Sequence, residues 1–187
     1  YMLSSLRYAF LGGEPISVAM LSNWYADPRC NGRIVNIYGP TECTDISAFY
    51  SITGPGKLPL GRVPIGKPVY NAQLYILDRH LRPTARGVPG EICIAGDGVG
   101  PGYINRAEMT KGKFVPVSLD NRDEVLVYRT GDLGRWLADG NIDFLGRMDF
   151  QVKIRGFRIE LGEIESELLK RDEIKEAVVI DWPGGAE

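Results

Sequence analysis

The sequence predicts a mixed α/β fold in three parts, and three observations carry that reading. Near the start, two apolar segments of strand length bracket one helical segment. The middle is a series of short segments rich in β-formers and punctuated by turns. Toward the end, a polar and apolar alternation runs into a helical apolar stripe. The first pattern is a strand, helix, strand unit; the second fits a small antiparallel β-barrel or curled sheet; the third is a hairpin followed by a helix.

In order, residues 6–11 are the first strand, Gly12-Gly13 mark a sharp turn, and Ser17 caps a helix to about residue 25. Residues 33–38 are the second strand. Such a unit favours a parallel pair with a right-handed crossover, and ligands gather at the carboxyl ends of its strands. Gly12-Gly13 and Gly39-Pro40-Thr41-Glu42 both follow such ends, so they should face one site. Residues 51–66 are rich in glycine and proline and read as an irregular crossing. Beyond them, residues 72–77, 90–95, 125–129, 135–137 and 142–145 are strand candidates separated by turns such as Ala138-Asp139-Gly140. Gln151 to Ile154 and Phe157 to Ile159 alternate as two half-buried strands joined at Arg155-Gly156. Leu161, Ile164 and Leu168 then recur at helical spacing, widened by Leu169, with Glu160 and Glu163 near the N-terminal end where the macrodipole favours negative charge; this helix is expected to reach about residue 170. Residues 176–181 read as one more strand, and Pro183-Gly184-Gly185 suits a junction.

The 187 residues suffice for one domain, or one plus part of another. Net charge is −2, with 22 basic and 24 acidic side chains scattered along the chain. Neither a nucleic acid nor an anionic membrane is therefore expected as a partner. No apolar run is long enough to span a bilayer, and no signal-peptide pattern opens the sequence. Cys30, Cys43 and Cys93 lie far apart without a C-x-x-C pair, which argues against a zinc site or a disulfide framework and for reduced thiols in a cytoplasmic protein.

The run GRMDFQVKIRGFRIELGEIE, residues 146–165, joins a basic turn to a helix start. It resembles a core motif of the adenylate-forming enzymes, in the version typical of nonribosomal peptide synthetase adenylation domains. Five further segments agree in order: LGGEPIS (11–17), NIYGPTE (36–42), GEICIAGDGVGPGY (90–103), YRTGDL (128–133) and GNIDFLGR (140–147). The resemblance implies that residues 1–60 end the α/β part of a large lobe, that 61–148 form a distorted antiparallel β-barrel, and that 149–187 begin a smaller α+β lobe hinged near Asp149. The family's phosphate loop and late catalytic lysine are not in this sequence, so the isolated chain is expected to be inactive.

The implied reaction joins a carboxylic acid to the α-phosphate of ATP, expels pyrophosphate and loads the product onto the phosphopantetheine thiol of a peptidyl carrier domain, beside neighbouring synthetase domains. Such a site must hold a polyanion, a purine, a ribose and a metal, and positioning and electrostatics do most of the work. By resemblance, Glu42 is the Mg²⁺ ligand, a hard oxygen donor suited to that ion, and Thr41 contacts phosphate. Tyr38 stacks on adenine. Phe144 stands where many relatives carry tyrosine, and it can stack but cannot donate a hydrogen bond. Gly12, Gly13 and Glu14 form a backbone wall beside the purine, with Asn36 and Gly39 in the same nucleotide-binding set. Asp132 offers two acceptor oxygens to the ribose hydroxyls, and Arg147 forks onto ribose or phosphate. Lys153 and Arg155 contact nucleotide or the carrier's pantetheine arm in one lobe orientation, or form a solvated basic edge. Ala9, Leu11, Ile37, Asp45 and Ile46 are implied to line part of the amino-acid pocket. Asp45 either meets a polar or basic substrate side chain or points to water. Two alternatives stay open: a fragment of an acyl-CoA or aryl-acid ligase, and a non-catalytic folded fragment that binds nucleotide weakly.

Overall fold

A computed structural model describes residues 5–27, 29–30, 32–54, 58–59, 61–119, 124–149, 151–154 and 157–182. Strand β1 (Tyr8–Gly12), helix α1 (Val18–Ala26) and strand β2 (Arg33–Tyr38) form the expected crossover unit. The two strands pair in parallel from Tyr8 opposite Arg33 to Gly12 opposite Ile37. Ser17 holds the N-cap position of α1, but it contributes its carbonyl to the amide of Leu21, and its hydroxyl makes no cap bond. The side-chain cap expected from the sequence is thus absent.

After β2 a single 3₁₀ turn, Thr41–Cys43, leads into β3 (Ala48–Ile52), which runs back antiparallel along the other edge of β2; β4 (Lys67–Pro68) adds to β3. Leu21 of α1, Ile34 and Ile52 pack with Val63 into one buried cluster under this sheet. The second sheet has the order β5-β6-β8-β7, with β5 at Ala72–Leu77, β6 at Gly90–Gly96, β7 at Phe114–Val117 after helix α2 (Ala107–Lys113), and β8 at Val125–Trp136. Strand β9 (Ile142–Arg147) also pairs with β8, along its second half. All these pairings are antiparallel.

The two sheets are stitched together where the amide of Ile65 donates to Ile142 and that of Ile142 donates to Gly66, at 2.9 and 2.8 Å. One apolar core crosses the seam: Cys43 and Ala48 from the first part pack with Ile76, Ile92, Ile94, Tyr128 and Ile142 from the second. Hairpin strands β10 (Gln151–Ile154) and β11 (Phe157–Glu160) pair antiparallel, and helix α3 (Leu161–Leu168) follows at once. The bend residues Arg155 and Gly156, and Pro183 to Gly185, lie outside the described residues.

Three expectations are corrected. The segments 125–129 and 135–137 are halves of one strand, β8, because Gly131 with φ +76° and a register shift let the chain continue through YRTGDL instead of turning. Residues 176–181 form no ladder among the described residues; Val178 and Ile180 are 83 % and 66 % exposed. Helix α3 stops at Leu168, two residues early. Elements β3, β4, α2 and β7 have no counterpart among the expected ones.

Candidate functional site

The two glycine turns that follow β1 and β2 meet at the wall of one cavity of about 1060 Å³, as the carboxyl ends of a parallel pair should. Gly12, Gly13 and Glu14 line it from one turn, and Gly39, Pro40 and Thr41 from the other; Asn36 and Tyr38 lie beneath. The second sheet contributes Thr130, Asp132, Phe144 and Arg147, and the hairpin contributes Lys153 and Arg158. Asn36 is buried and donates from its amide nitrogen to the carbonyl of Pro64 at 2.8 Å, so it braces the crossing to the second sheet.

Asp132 is the hub of one side. It lies directly across the β8–β9 ladder from Arg147, which places the two side chains together. Arg147 donates from Nη1 to Asp132 Oδ1 and to the carbonyl of Thr130, both at 2.8 Å. With Nε and Nη2 it grips both oxygens of Asp149 at 2.8 and 2.5 Å, the two-pronged geometry that suits guanidinium and carboxylate. The hydroxyl of Tyr38 donates to Asp132 Oδ2 at 2.5 Å. Burial first, and the Asp132 charge next, push the Tyr38 phenol well above its ordinary pKa, so it stays a neutral donor. Below them the Asp132 amide donates to Thr130 Oγ1 at 2.9 Å, and that hydroxyl donates to the Ile92 carbonyl at 2.7 Å. Gly131 makes this packing possible: a Cβ there would lie 2.9 Å from Arg147 Nη2 and 3.0 Å from Asp149 Oδ2.

Glu42 is the hub of the other side, in a separate cavity of about 340 Å³ that it shares with Thr41, Thr44, Tyr103 and Arg158. Its Oε1 accepts the Tyr103 hydroxyl at 2.6 Å and Arg158 Nη1 at 2.8 Å. Its Oε2 is buried with no hydrogen-bond partner among the described residues. Burial works against the charged form, but the Tyr103 hydrogen bond, the local backbone and Arg158 outweigh it and hold the carboxyl below its usual range. The backbone around it is pinned: Gly100 donates its amide to the Glu42 carbonyl, and Thr44 Oγ1 donates to the carbonyl of Gly98, both at 2.8 Å. An ionised, half-free buried carboxylate fits a Mg²⁺ ligand. The described residues hold no group of three or more His, Cys, Asp or Glu side chains around it. A Mg²⁺ here would therefore take its other ligands from phosphate and water, as this ion commonly does.

Of the five residues implied for the amino-acid pocket, Ile37 and Asp45 line the large cavity. Ala9 packs against the core cluster of α1 and β2. Leu11 and Ile46 are exposed and lie outside the cavity's lining. Phe144 stands 6.3 Å from Tyr38, ring centre to ring centre, so the two aromatics flank one region. Sequence reading missed Tyr103, Thr130 and Arg158. Each sits inside a motif segment, yet its partner lies far along the chain, and only the fold reveals the pairing.

A family described as AMP-binding enzyme matches residues 1–104. The chain is 47 % identical over 177 residues to bacitracin synthase 1 of Bacillus licheniformis, covering 94 % of this chain and 3 % of that protein. It is 48 % identical over 179 residues to tyrocidine synthase 3 of Brevibacillus parabrevis, covering 95 % and 3 %. It thus spans a small part of the length of the curated relatives it matches. Among solved structures, it superposes with a TM-score of 0.83 on the Vibrio cholerae adenylation domain AlmE in complex with glycyl-adenosine-5'-phosphate, at 28 % identity over 97 % of this chain and 34 % of that one. Holo-PA1221, an NRPS protein containing adenylation and PCP domains bound to a vinylsulfonamide inhibitor, superposes at 0.81 with 34 % identity, covering 89 % and 28 %. With the family matched over more than half its length, and with the glycine turns of that matched region opening onto the Asp132 cavity, this chain belongs to the AMP-binding enzyme family.

Proposed function

We propose that the chain is the central part of an amino-acid adenylation domain of a nonribosomal peptide synthetase. The intact domain joins the amino-acid carboxylate to the α-phosphate of ATP, releases pyrophosphate, and passes the aminoacyl group to the phosphopantetheine thiol of a peptidyl carrier domain. The observation that carries this reading is the convergence of both glycine turns, Tyr38, Asp132 and Arg147 on one cavity beside a half-free Glu42. The sequence similarity to synthetases and the likeness to adenylation domains support it.

Each residue has a role its chemistry supports. Asp132 accepts the ribose hydroxyls, with Tyr38 and Arg147 yielding or sharing its two oxygens. Gly12, Gly13, Glu14, Asn36 and Gly39 shape the purine wall, and the rings of Tyr38 and Phe144 flank the base. Thr41 and Lys153 reach phosphate oxygens, and Arg147 stabilises charge on ribose or phosphate. Mg²⁺, held by Glu42 Oε2, would neutralise charge on the phosphates when bound. Ile37 and Asp45, which line the cavity, belong to the side-chain pocket, and Ala9, Leu11 and Ile46 are assigned to it by the resemblance alone. Residues 1–60 end the α/β part of a large lobe, residues 61–148 form a distorted β-barrel part, and residues 149–187 begin a smaller lobe hinged near Asp149. No helix among the described residues is long and apolar enough to cross a membrane, and a cytoplasmic setting with a carrier domain and neighbouring synthetase domains as partners completes the reading.

The test is ATP–pyrophosphate exchange by the complete gene product, across a panel of amino, aryl and fatty acids. Exchange with one or a few amino acids is expected and names the substrate. Exchange confined to aryl or fatty acids moves the chain to an acyl-CoA or aryl-acid ligase, and no exchange with any acid leaves only a non-catalytic fold.

A further inference from the structure

Asp132 stands on a stretch of β8 that the β6 ladder does not hold in register. Between Leu133 opposite Glu91 and Arg129 opposite Cys93, three residues of β8, Thr130, Gly131 and Asp132, face Ile92 of β6. Such a bulge interrupts pairing and re-aims the side chains it carries. Its backbone groups then need other partners, because a buried amide left without one is costly. The Asp132 amide donates to Thr130 Oγ1 at 2.9 Å, and the Gly131 carbonyl accepts the Met148 amide at 2.8 Å. The Gly131 amide turns to a side chain of the neighbouring strand and donates to Glu91 Oε1 at 3.0 Å. Glu91 is 6 % exposed, and its other oxygen, Oε2, accepts Arg129 Nε and Nη2 at 3.0 and 2.7 Å. Strand spacing explains this pair: Glu91 and Cys93 share a face of β6, and Arg129 lies opposite Cys93, so acid and base are diagonal neighbours. An ion pair serving stability alone has no need of the Gly131 amide. Here one oxygen is committed to the residue immediately before Asp132, at φ +76°.

We infer that Glu91 is a positioning residue for the nucleotide: it holds the Gly131 amide, Arg129 holds it in turn, and together they fix the bulge from which Asp132 meets the ribose. This rests on the reading of Asp132 as the ribose acceptor. Glu91 is not among the residues that line the large cavity, so it acts through the backbone and not by touching the ligand. Freed of Glu91, the Gly131 amide must find water or a ladder partner, and either shift carries Asp132 with it. The carboxylate then leaves the place set by Tyr38 and Arg147. The purine wall and the residues assigned to phosphate lie on other segments and stay where they are. Loss of Glu91 therefore has a narrow signature, which is weaker recognition of the ribose hydroxyls.

The measurement is the ratio of kcat/KM for ATP to that for 2′-deoxy-ATP and for 3′-deoxy-ATP, in pyrophosphate exchange by the complete gene product. A ratio does not depend on how much of a variant is folded, so a merely structural role leaves it unmoved. The parent should prefer ATP to at least one analogue by about tenfold or more, the worth of a hydrogen bond to a charged group, and Asp132→Ala should bring the ratio to about one. Glu91→Met, similar in length but without an acceptor, should lose about fivefold or more of the preference. Glu91→Gln keeps an oxygen for the Gly131 amide while Arg129, whose side chain is 37 % exposed, turns to water; its ratio should stay within about twofold of the parent. An unchanged ratio in Glu91→Met, or equal losses in Glu91→Met and Glu91→Gln, overturns the positioning role and leaves Asp132 as the ribose acceptor. Where Glu91→Met gives no folded enzyme, Glu91→Asp decides: one methylene shorter, it keeps a carboxylate for Arg129 but withdraws from the Gly131 amide. Loss of preference in Glu91→Asp supports the role, and the parent's ratio overturns it. A ratio of about one in the parent, or no exchange by it, removes the ribose role of Asp132 and the positioning role with it.

Discussion

At the scale of single residues, Asp132 carries the sharpest expectation. Each of its oxygens already has a protein donor, Arg147 on one and Tyr38 on the other, so the carboxylate is aimed before any ribose arrives. A hydrogen bond to a charged group contributes roughly 1.5 to 3 kcal/mol, which is about one to two orders of magnitude in an equilibrium. Asp132→Ala in the complete gene product should therefore raise the KM for ATP in pyrophosphate exchange by about ten- to a hundredfold, while KM for the amino acid moves little. Unchanged nucleotide kinetics would refute the ribose role. The cysteines make a second residue-scale case. Burial pushes the thiols of Cys43 and Cys93 up to about 12 from the ordinary 9.0. A folded-state pKa above the unfolded one contributes stability that is complete below pH 9 and is lost as pH rises from 9 toward 12, because only the unfolded chain then releases the proton. The Tm should be flat up to pH 9 and fall above it, with Cys93→Ala removing part of the fall. At pH 8 a disulfide reagent should titrate Cys30 alone in the native chain and all three thiols after denaturation.

At the scale of elements, glycines with positive φ separate backbone strain from steric contact. Gly66, at the seam between the sheets, has φ +89°, and a Cβ there would fall 1.8 Å from the Phe49 carbonyl oxygen. Gly87 has φ +84° with nothing within 4 Å. Gly87→Ala should cost only the left-handed penalty, about 1 to 2 kcal/mol. Gly66→Ala must also push two strands apart and should cost about 3 kcal/mol or more, read as the difference in urea unfolding between the two variants. Equal costs would mean that the seam gives way freely. The same backbone detail decides what was legible in the sequence. The β1-α1-β2 crossover and the β10-β11-α3 unit follow from apolar spacing and were readable. Strand β3 was hidden because the reversal before it is made by Thr44 and Asp45 at φ 60° and 67°, residues that do not announce a turn as glycine does. Strand β8 was split in the reading because Gly131 and Gly134 resemble a turn, yet they serve a bulge and a close approach to Ile92 within one continuous strand. Residues 176–181 have a strand's alternation, but alternation makes a strand only where an edge is available to pair with it. Of the site, the glycine turns, Asp132 and Glu42 could be named from motifs. The couplings of Tyr38 to Asp132 and of Arg158 to Glu42 could not, since they join residues 94 and 116 positions apart.

At the scale of the whole molecule, Asp149 links the site to whatever follows it. Its carboxylate is clamped by Arg147 and also accepts the Gln151 amide at 3.2 Å, so this residue just beyond β9 is tied at once to the Asp132 hub and to the start of the hairpin. Burial opposes its charge, yet Arg147 outweighs this and holds the carboxyl below its ordinary range, which keeps the clamp ionised at neutral pH. If the hairpin and helix turn about this residue between activation and transfer, the turn is a change in its backbone angles, and proline, with φ fixed, blocks the turn without touching the nucleotide cavity. Asp149→Pro in the complete gene product should keep pyrophosphate exchange within about fivefold of the parent while transfer of the aminoacyl group to the carrier thiol falls by about a hundredfold or more. Asp149→Ala separates the two contributions, since it loses the clamp but keeps free rotation. It should retain transfer, with exchange reduced only as far as Arg147 loses its orientation. Equal loss of both half-reactions in Asp149→Pro, or a loss of transfer in Asp149→Ala as deep as that in the proline variant, would show that Asp149 acts through its carboxylate rather than as the pivot.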